Sequence, residues 1–189
     1  MKKIFFTFFI VSVVLTVSPS CAQEGDLQLI GESQYFSIYG YKDLDIRELL
    51  FKLNFNHFLQ VDSFLEEGGQ GPENILAKTM DALYLEISDI LGIHIYSFRG
   101  NIKFYPDQAS LNKVFRNFFE KDFHERSFYL HEKKTIYVSF ADLTLGMLGH
   151  EAAHAIISHY FVVPPPEKVQ EVLSGYVEFS LRKLTGSLQ

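Results

Sequence analysis

Two histidines four residues apart with a glutamate between them, His150-Glu151-Ala152-Ala153-His154, are the part of this chain best equipped for chemistry. In an α-helix residues i and i+4 share a face, so both imidazoles can point at one ion while Glu151 stands beside them. Neutral imidazole nitrogens suit zinc. A carboxylate directly after the first ligand is placed to take a proton from a water the metal activates, rather than to bind the metal itself. A competing account is a buried amphipathic helix with incidental polar residues. It expects no charge at Glu151, between the apolar Leu148 and Ala155, unless that charge is paired, because burying a lone carboxylate is costly.

A catalytic zinc takes three protein ligands and leaves its fourth position to water. Downstream, Glu167, Glu171 and Glu178 compete for the third place. Pro164-Pro165-Pro166 must turn the chain, and a helix returning antiparallel to the first would present Glu171 one turn in from its start. Glu167 lies too near the turn, and Glu178, two turns further on, is expected to be carried past the metal. Glu171 is therefore the expected ligand. Glu178 or Ser174 could orient a ligating imidazole from behind, and the sequence does not choose between them. His159 falls five residues after His154, off the ligand face, and reads as a solvent-side residue. His57, His94, His124 and His131 have no partner at ligand spacing and read as ordinary.

His150-Glu151-Ala152-Ala153-His154, followed after the proline-bearing connection by Gln170-Glu171-Val172-Leu173-Ser174-Gly175-Tyr176-Val177-Glu178, resembles the gluzincin zinc metallopeptidases, especially the small bacterial peptidase-MA-like proteins. Those carry an HExxH helix and then a Glu-Gly-Leu-Ala-x-Tyr helix. The resemblance implies Zn2+ as cofactor, Glu171 as the third ligand, and Tyr176 as a donor to the oxyanion of a tetrahedral intermediate. Val172 stands where the family has glycine, and Ser174-Gly175 where it has alanine and its neighbour. The implied activity is hydrolysis of peptide bonds in a peptide or protein substrate, with Glu151 as general base. The implied fold is a minimal zincin-like α+β domain: a small mixed sheet with an antiparallel edge strand packed on the active-site helix, and a C-terminal helix. A non-catalytic exported binding or accessory protein retaining that fold is the alternative.

The elements that must position these residues are legible from periodicity. Tyr35 to Tyr39 alternates as a strand, Asp43 or Asp45 opens a helical pattern through Leu53, and residues 54–65 are apolar without a clear period. Residues 66–72 form a glycine-rich loop, and a helix follows from Glu73 to Leu91 with Gly92 as its stop. Asn101 to Tyr105 is a strand closed by Pro106, and Asp107 caps a helix whose Leu111, Val114, Phe115, Phe118 and Phe119 make one apolar stripe. Arg126 to Leu130 and Thr135 to Phe140 form a hairpin joined by residues 131–134. Helices are expected over 141–160 and from about Glu167 to Leu184. Residues 23–33 read as a polar leader to the first strand. An edge strand at 126–130 could hold an extended peptide by strand addition.

With 47% hydrophobic residues, 19 Phe and 10 Tyr, the chain has ample apolar surface for one core, and 23–189 reads as one domain. Residues 1–22 have the form of a signal peptide: Lys2 and Lys3, then an apolar run from Ile4 to Val17 too short to span a bilayer comfortably. Cleavage after Ala22 fits the small-residue pattern, while cleavage before Cys21 would permit lipidation there, the only expected link to a membrane. The destination is periplasmic or extracellular. The net charge is −6, becoming −8 once Lys2 and Lys3 are removed, so nucleic acid is not an expected partner. A lone cysteine permits no internal disulfide, and oligomeric state is not legible. The accumulated protein is expected to begin at Cys21 or Gln23 by mass spectrometry. Met1 on that species would exclude export by this leader, and a diacylglycerol mass on Cys21 would identify lipidation.

Overall fold

Five short strands, β1 (Gln28–Glu32), β2 (Phe36–Gly40), β3 (Gly100–Tyr105), β4 (Ser127–Leu130) and β5 (Thr135–Ser139), form one mixed sheet in the order β1-β2-β3-β5-β4. The computed structural model describes residues 26–58, 71–122 and 124–186; residues 1–22, expected to be a signal peptide, and most of the glycine-rich loop lie outside them. β2, β3 and β5 run parallel, and the two outer strands pair antiparallel. Because successive side chains of a strand face opposite ways, Ile38, Ile102, Phe104, Ile136 and Val138 point into one core, and Tyr105, Tyr137 and Phe128 into a smaller second one. The protein is thus a mixed α+β structure.

Six helices accompany the sheet among the described residues: α1 (Ile46–Lys52), α2 (Phe55–Phe58), α3 (Pro72–Leu91), α4 (Gln108–Phe119), α5 (Leu145–Tyr160) and α6 (Glu167–Leu184). None is long and apolar enough to cross a membrane. Asp107 caps α4 by accepting from the Ser110 N–H at 2.7 Å, and Gly92 ends α3 with φ 64°, a left-handed conformation cheap for glycine. α4 covers the smaller core, where Leu111 and Val114 meet Phe128 and Tyr137. α1, α3, α5 and α6 share the larger one.

Two expectations need correction. The polar leader contains β1, an edge strand whose residues are exposed or half-buried; having no buried face, it shows no alternation to read. The helix expected over 141–160 starts only at Leu145, after Thr144, whose hydroxyl accepts from the Met147 N–H at 3.2 Å. The expected hairpin is present, and its connection is a short 3-10 turn over His131–Lys133, closed by Lys134 at φ 48°.

α5 is buried on nearly every side, against β4, β5, α3 and α6. Gly149, Ala152, Ala153 and Ala155 keep its surface shallow enough for these neighbours to come close. α6 returns antiparallel along it: Gln170 meets Ser158, Glu171 meets His154, and Glu178 meets His150. A Cβ at Gly149 would collide with the Leu181 side chain of α6, itself fully buried, while meeting Val177 at ordinary contact distance. Gly149→Val should therefore cost about 1–3 kcal/mol by overpacking and push Glu171 away from the histidines. Thermal melts combined with zinc titration check this. A variant that melts with the parent would show that the two helices do not depend on this close crossing.

Candidate metal centre

His150 and His154 lie on one face of α5, and Glu171 reaches them from the second turn of α6. The two Nε2 atoms are 3.2 Å apart, Glu171 Oε2 is 3.5 Å from His150 Nε2, and Glu171 Oε1 is 3.3 Å from His154 Nε2. Two nitrogens and a carboxylate thus face a common point. A tetrahedral zinc with ligand bonds of 2.0–2.1 Å has ligand–ligand edges of about 3.3–3.4 Å, so these separations suit that ion. Burial and then the neighbouring His150 lower the pKa of His154, against the opposing pull of Glu171, which favours the neutral imidazole a metal needs.

The far side of His150 is also equipped. Its Nδ1 is buried without a hydrogen-bond partner, and Glu178 Oε2 stands 3.6 Å away, just beyond bonding length. The sequence expectation carries Glu178 past the metal; it stands outside the His150–His154–Glu171 group, but against the second nitrogen of His150 rather than clear of the centre. Seven residues make about two turns, so Glu178 returns to the face of Glu171, and on the antiparallel helix it lies opposite His150, the earlier of the two histidines. Ser174, between them on the same face, is fully buried with an unpartnered Oγ and has no bond to either histidine. Glu178 is thus better placed than Ser174 to steady the ring.

Glu151 is only 8% exposed. Its Oε1 accepts from Ser127 Oγ at 2.8 Å, and a backbone hydrogen bond comes from Tyr129. Both partners belong to β4, where residues 127 and 129 share the face turned toward α5. Burial raises the Glu151 pKa to about 7, with the carboxylates of Glu171 and Glu125 adding to the rise and the two hydrogen bonds opposing it. Such a group can take a proton near neutral pH and give it back.

These residues line an open cleft of about 1170 Å³ between β4 and the α5–α6 pair. Tyr176 is not brought to it. It is 57% exposed on the outer face of α6 with Val172 and Phe179, because five residues of helix turn it well away from Glu171. The expected oxyanion role has no geometric support. His159 is not a solvent-side residue either: it is half-buried, its Nε2 lies 2.7 Å from the Tyr129 hydroxyl, and its ring stacks on His131 with centroids 4.7 Å apart. Ser127, Tyr129 and His131 were missed as site residues. Only the alternation of polar residues in a β-rich run hinted that 127 and 129 share a face, and nothing local says which helix they meet.

No protein-family model, no curated protein and no solved structure matches the chain. The site therefore rests on its own geometry and on the motif.

A titration follows from Glu151. In the metal-free fold its carboxyl keeps a proton up to about pH 7, whereas an unfolded glutamate loses it near 4.5. The folded chain therefore holds the extra proton between those values, and this contribution is full below pH 4.5 and lost as pH rises through 7. The loss is on the order of 3 kcal/mol. Chemical denaturation of chelator-treated protein, compared with Glu151→Gln across pH 4 to 8, isolates it. Parallel stability curves for the two chains would show that Glu151 titrates normally.

Proposed function

We propose that this chain is an exported zinc-dependent peptidase of gluzincin type, with a minimal zincin-like fold. The observation that carries the reading is the convergence of His150, His154 and Glu171 at separations a tetrahedral zinc requires, beside a buried carboxylate that does not share in them. Zinc held by these three residues would polarise a scissile carbonyl and lower the pKa of water. Glu151 removes the proton from the attacking water and passes it to the leaving amine, the task its neutral-range pKa suits. Ser127 and the Tyr129 backbone hold the carboxylate in position through both transfers. Glu178 steadies His150 from its second nitrogen.

β4 supports the same reading. Among the described residues it pairs only with β5, so its other edge, apart from the Tyr129 N–H taken by Glu151, is left for an extended peptide laid along the cleft. A protein that merely bound zinc, the accessory alternative, would have no use for an uncoordinated buried carboxylate at the metal's side.

The decisive experiment measures zinc and peptide cleavage on one preparation. Glu151→Gln is expected to retain zinc and lose at least about a hundredfold in chelator-sensitive hydrolysis. Glu171→Ala is expected to lose the metal, and Glu178→Gln to keep its stoichiometry with affinity lowered about ten- to hundredfold. A zinc-saturated chain that cuts no peptide, or a fully active Glu151→Gln, would refute the mechanism. Full zinc in Glu171→Ala with loss in Glu178→Ala would move the third ligand to Glu178.

A further inference from the structure

Six carboxylates line the cleft against a single guanidinium, and no lysine does so among the described residues. Four of the six are committed. Glu151 and Glu171 belong to the centre, where their charges match the two of a zinc ion and leave it close to neutral. Asp142 lies 3.8 Å from Arg126, the one cation of the cleft, and Glu178 lies 3.8 Å from Arg182. Glu125 and Glu167 remain, both exposed and without an ion-pair partner among the described residues.

Their positions are set by the fold. β4 and α5 run side by side in the same direction, since Ser127 meets Glu151 and Tyr129 meets His159 further along. Glu125 precedes β4 and so stands toward the end of the cleft where α5 begins, the end whose lining includes Thr144 and Met147. Glu167 opens α6 at the other end, where α5 finishes and Ser158 is bonded to Gln170. The metal-capable group lies between them. A second feature is independent of charge: Tyr129 and His131 also line the cleft, and the Tyr129–His159 contact and the stack of His131 on His159, near the end of α5, hold them toward the Glu167 end. An aromatic wall and a carboxylate in one cleft end are the two groups that together recognise an alkylammonium or guanidinium.

We propose that the cleft selects extended peptides carrying lysine or arginine on both sides of the bond presented to the metal centre, with Glu125 receiving one cation and Glu167 with the Tyr129–His131 wall receiving the other. This rests on the peptidase reading for the placement of the bond, but the selectivity itself is a property of binding. Low-dielectric walls focus the field of the two unpaired carboxylates into the groove, so the preference falls as salt screens it.

The test uses the zinc-loaded full chain as Glu151→Gln, so that bound peptide is not cut, and fluorescein-labelled decapeptides identical except for Lys or Glu at the positions flanking the central bond. Anisotropy is expected to show the lysine peptide binding at least about tenfold more tightly at low ionic strength, with the gap closing toward about 0.5 M salt. Glu125→Gln and Glu167→Gln, both at exposed positions, are each expected to narrow the gap several-fold in that background with unchanged circular dichroism, and together to remove most of it. Equal affinities, or a lysine preference that survives the double substitution, overturns the proposal. Selective binding while the parent chain hydrolyses neither peptide would refute the peptidase reading and leave the cleft's selectivity standing; hydrolysis of both peptides at equal rates with equal affinities would do the reverse.

Discussion

The close crossing of α5 and α6 at Gly149 is the constraint on which the site depends. No ligand set exists on α5 alone: two imidazoles four residues apart supply two of the three donors, and the third must come from a helix whose axis and rotation are fixed independently. Val177 and Leu181, both fully buried, fix them by packing into the shallow surface that Gly149 leaves. Ser174, Val177 and Leu181 recur at intervals of three and four, which makes one stripe down α6. Once that stripe is pressed onto α5, Glu171 and Glu178 flank it on the histidine side, and Val172, Tyr176 and Phe179 are turned outward. Apolar packing thus decides which carboxylates meet the imidazoles.

The polar groups gathered there are held at a cost. Glu151 is buried and raised toward neutrality, and two hydrogen bonds from β4 only partly offset its desolvation. His150 Nδ1 and Ser174 Oγ are buried without partners, in a protein interior where such atoms are few. An ion bound by Nε2 would draw His150 toward it and make its Nδ1–H a stronger donor, giving Glu178 a reason to close the remaining gap. The arrangement therefore makes better physical sense as a pre-organised binding site than as a packing solution.

β4 links this local chemistry to the rest of the fold. Its alternate residues serve two bodies: Phe128 and Leu130 join the core under α4, while Ser127 and Tyr129 face α5. One short edge strand thereby anchors Glu151, forms a wall of the cleft and, among the described residues, pairs with another strand along one edge alone. Moving its register by one residue would exchange both sets and leave Glu151 facing Phe128.

Much of this was written locally. The spacing of His150, Glu151 and His154 marks a turn whose side chains could hold a metal, because helical geometry alone puts them together. Asp107 and Gly92 mark helix ends through chemistry confined to a few neighbouring residues, and alternation marks β2, β3 and the hairpin. Glu171 was reachable because Pro164-Pro165-Pro166 compels a turn and one helical turn is a known length. What the sequence could not supply was relative rotation and pairing between elements distant along the chain. That information separates Tyr176, at the right spacing but on the outer face, from Glu178, which looked too distant and sits against His150. It also places Ser127 on Glu151 and His159 against Tyr129, and it recruits β1, whose exposed residues carry no pattern. Periodicity tells a residue which side of its own helix or strand it occupies; only the packing of that element against the others decides what lies opposite.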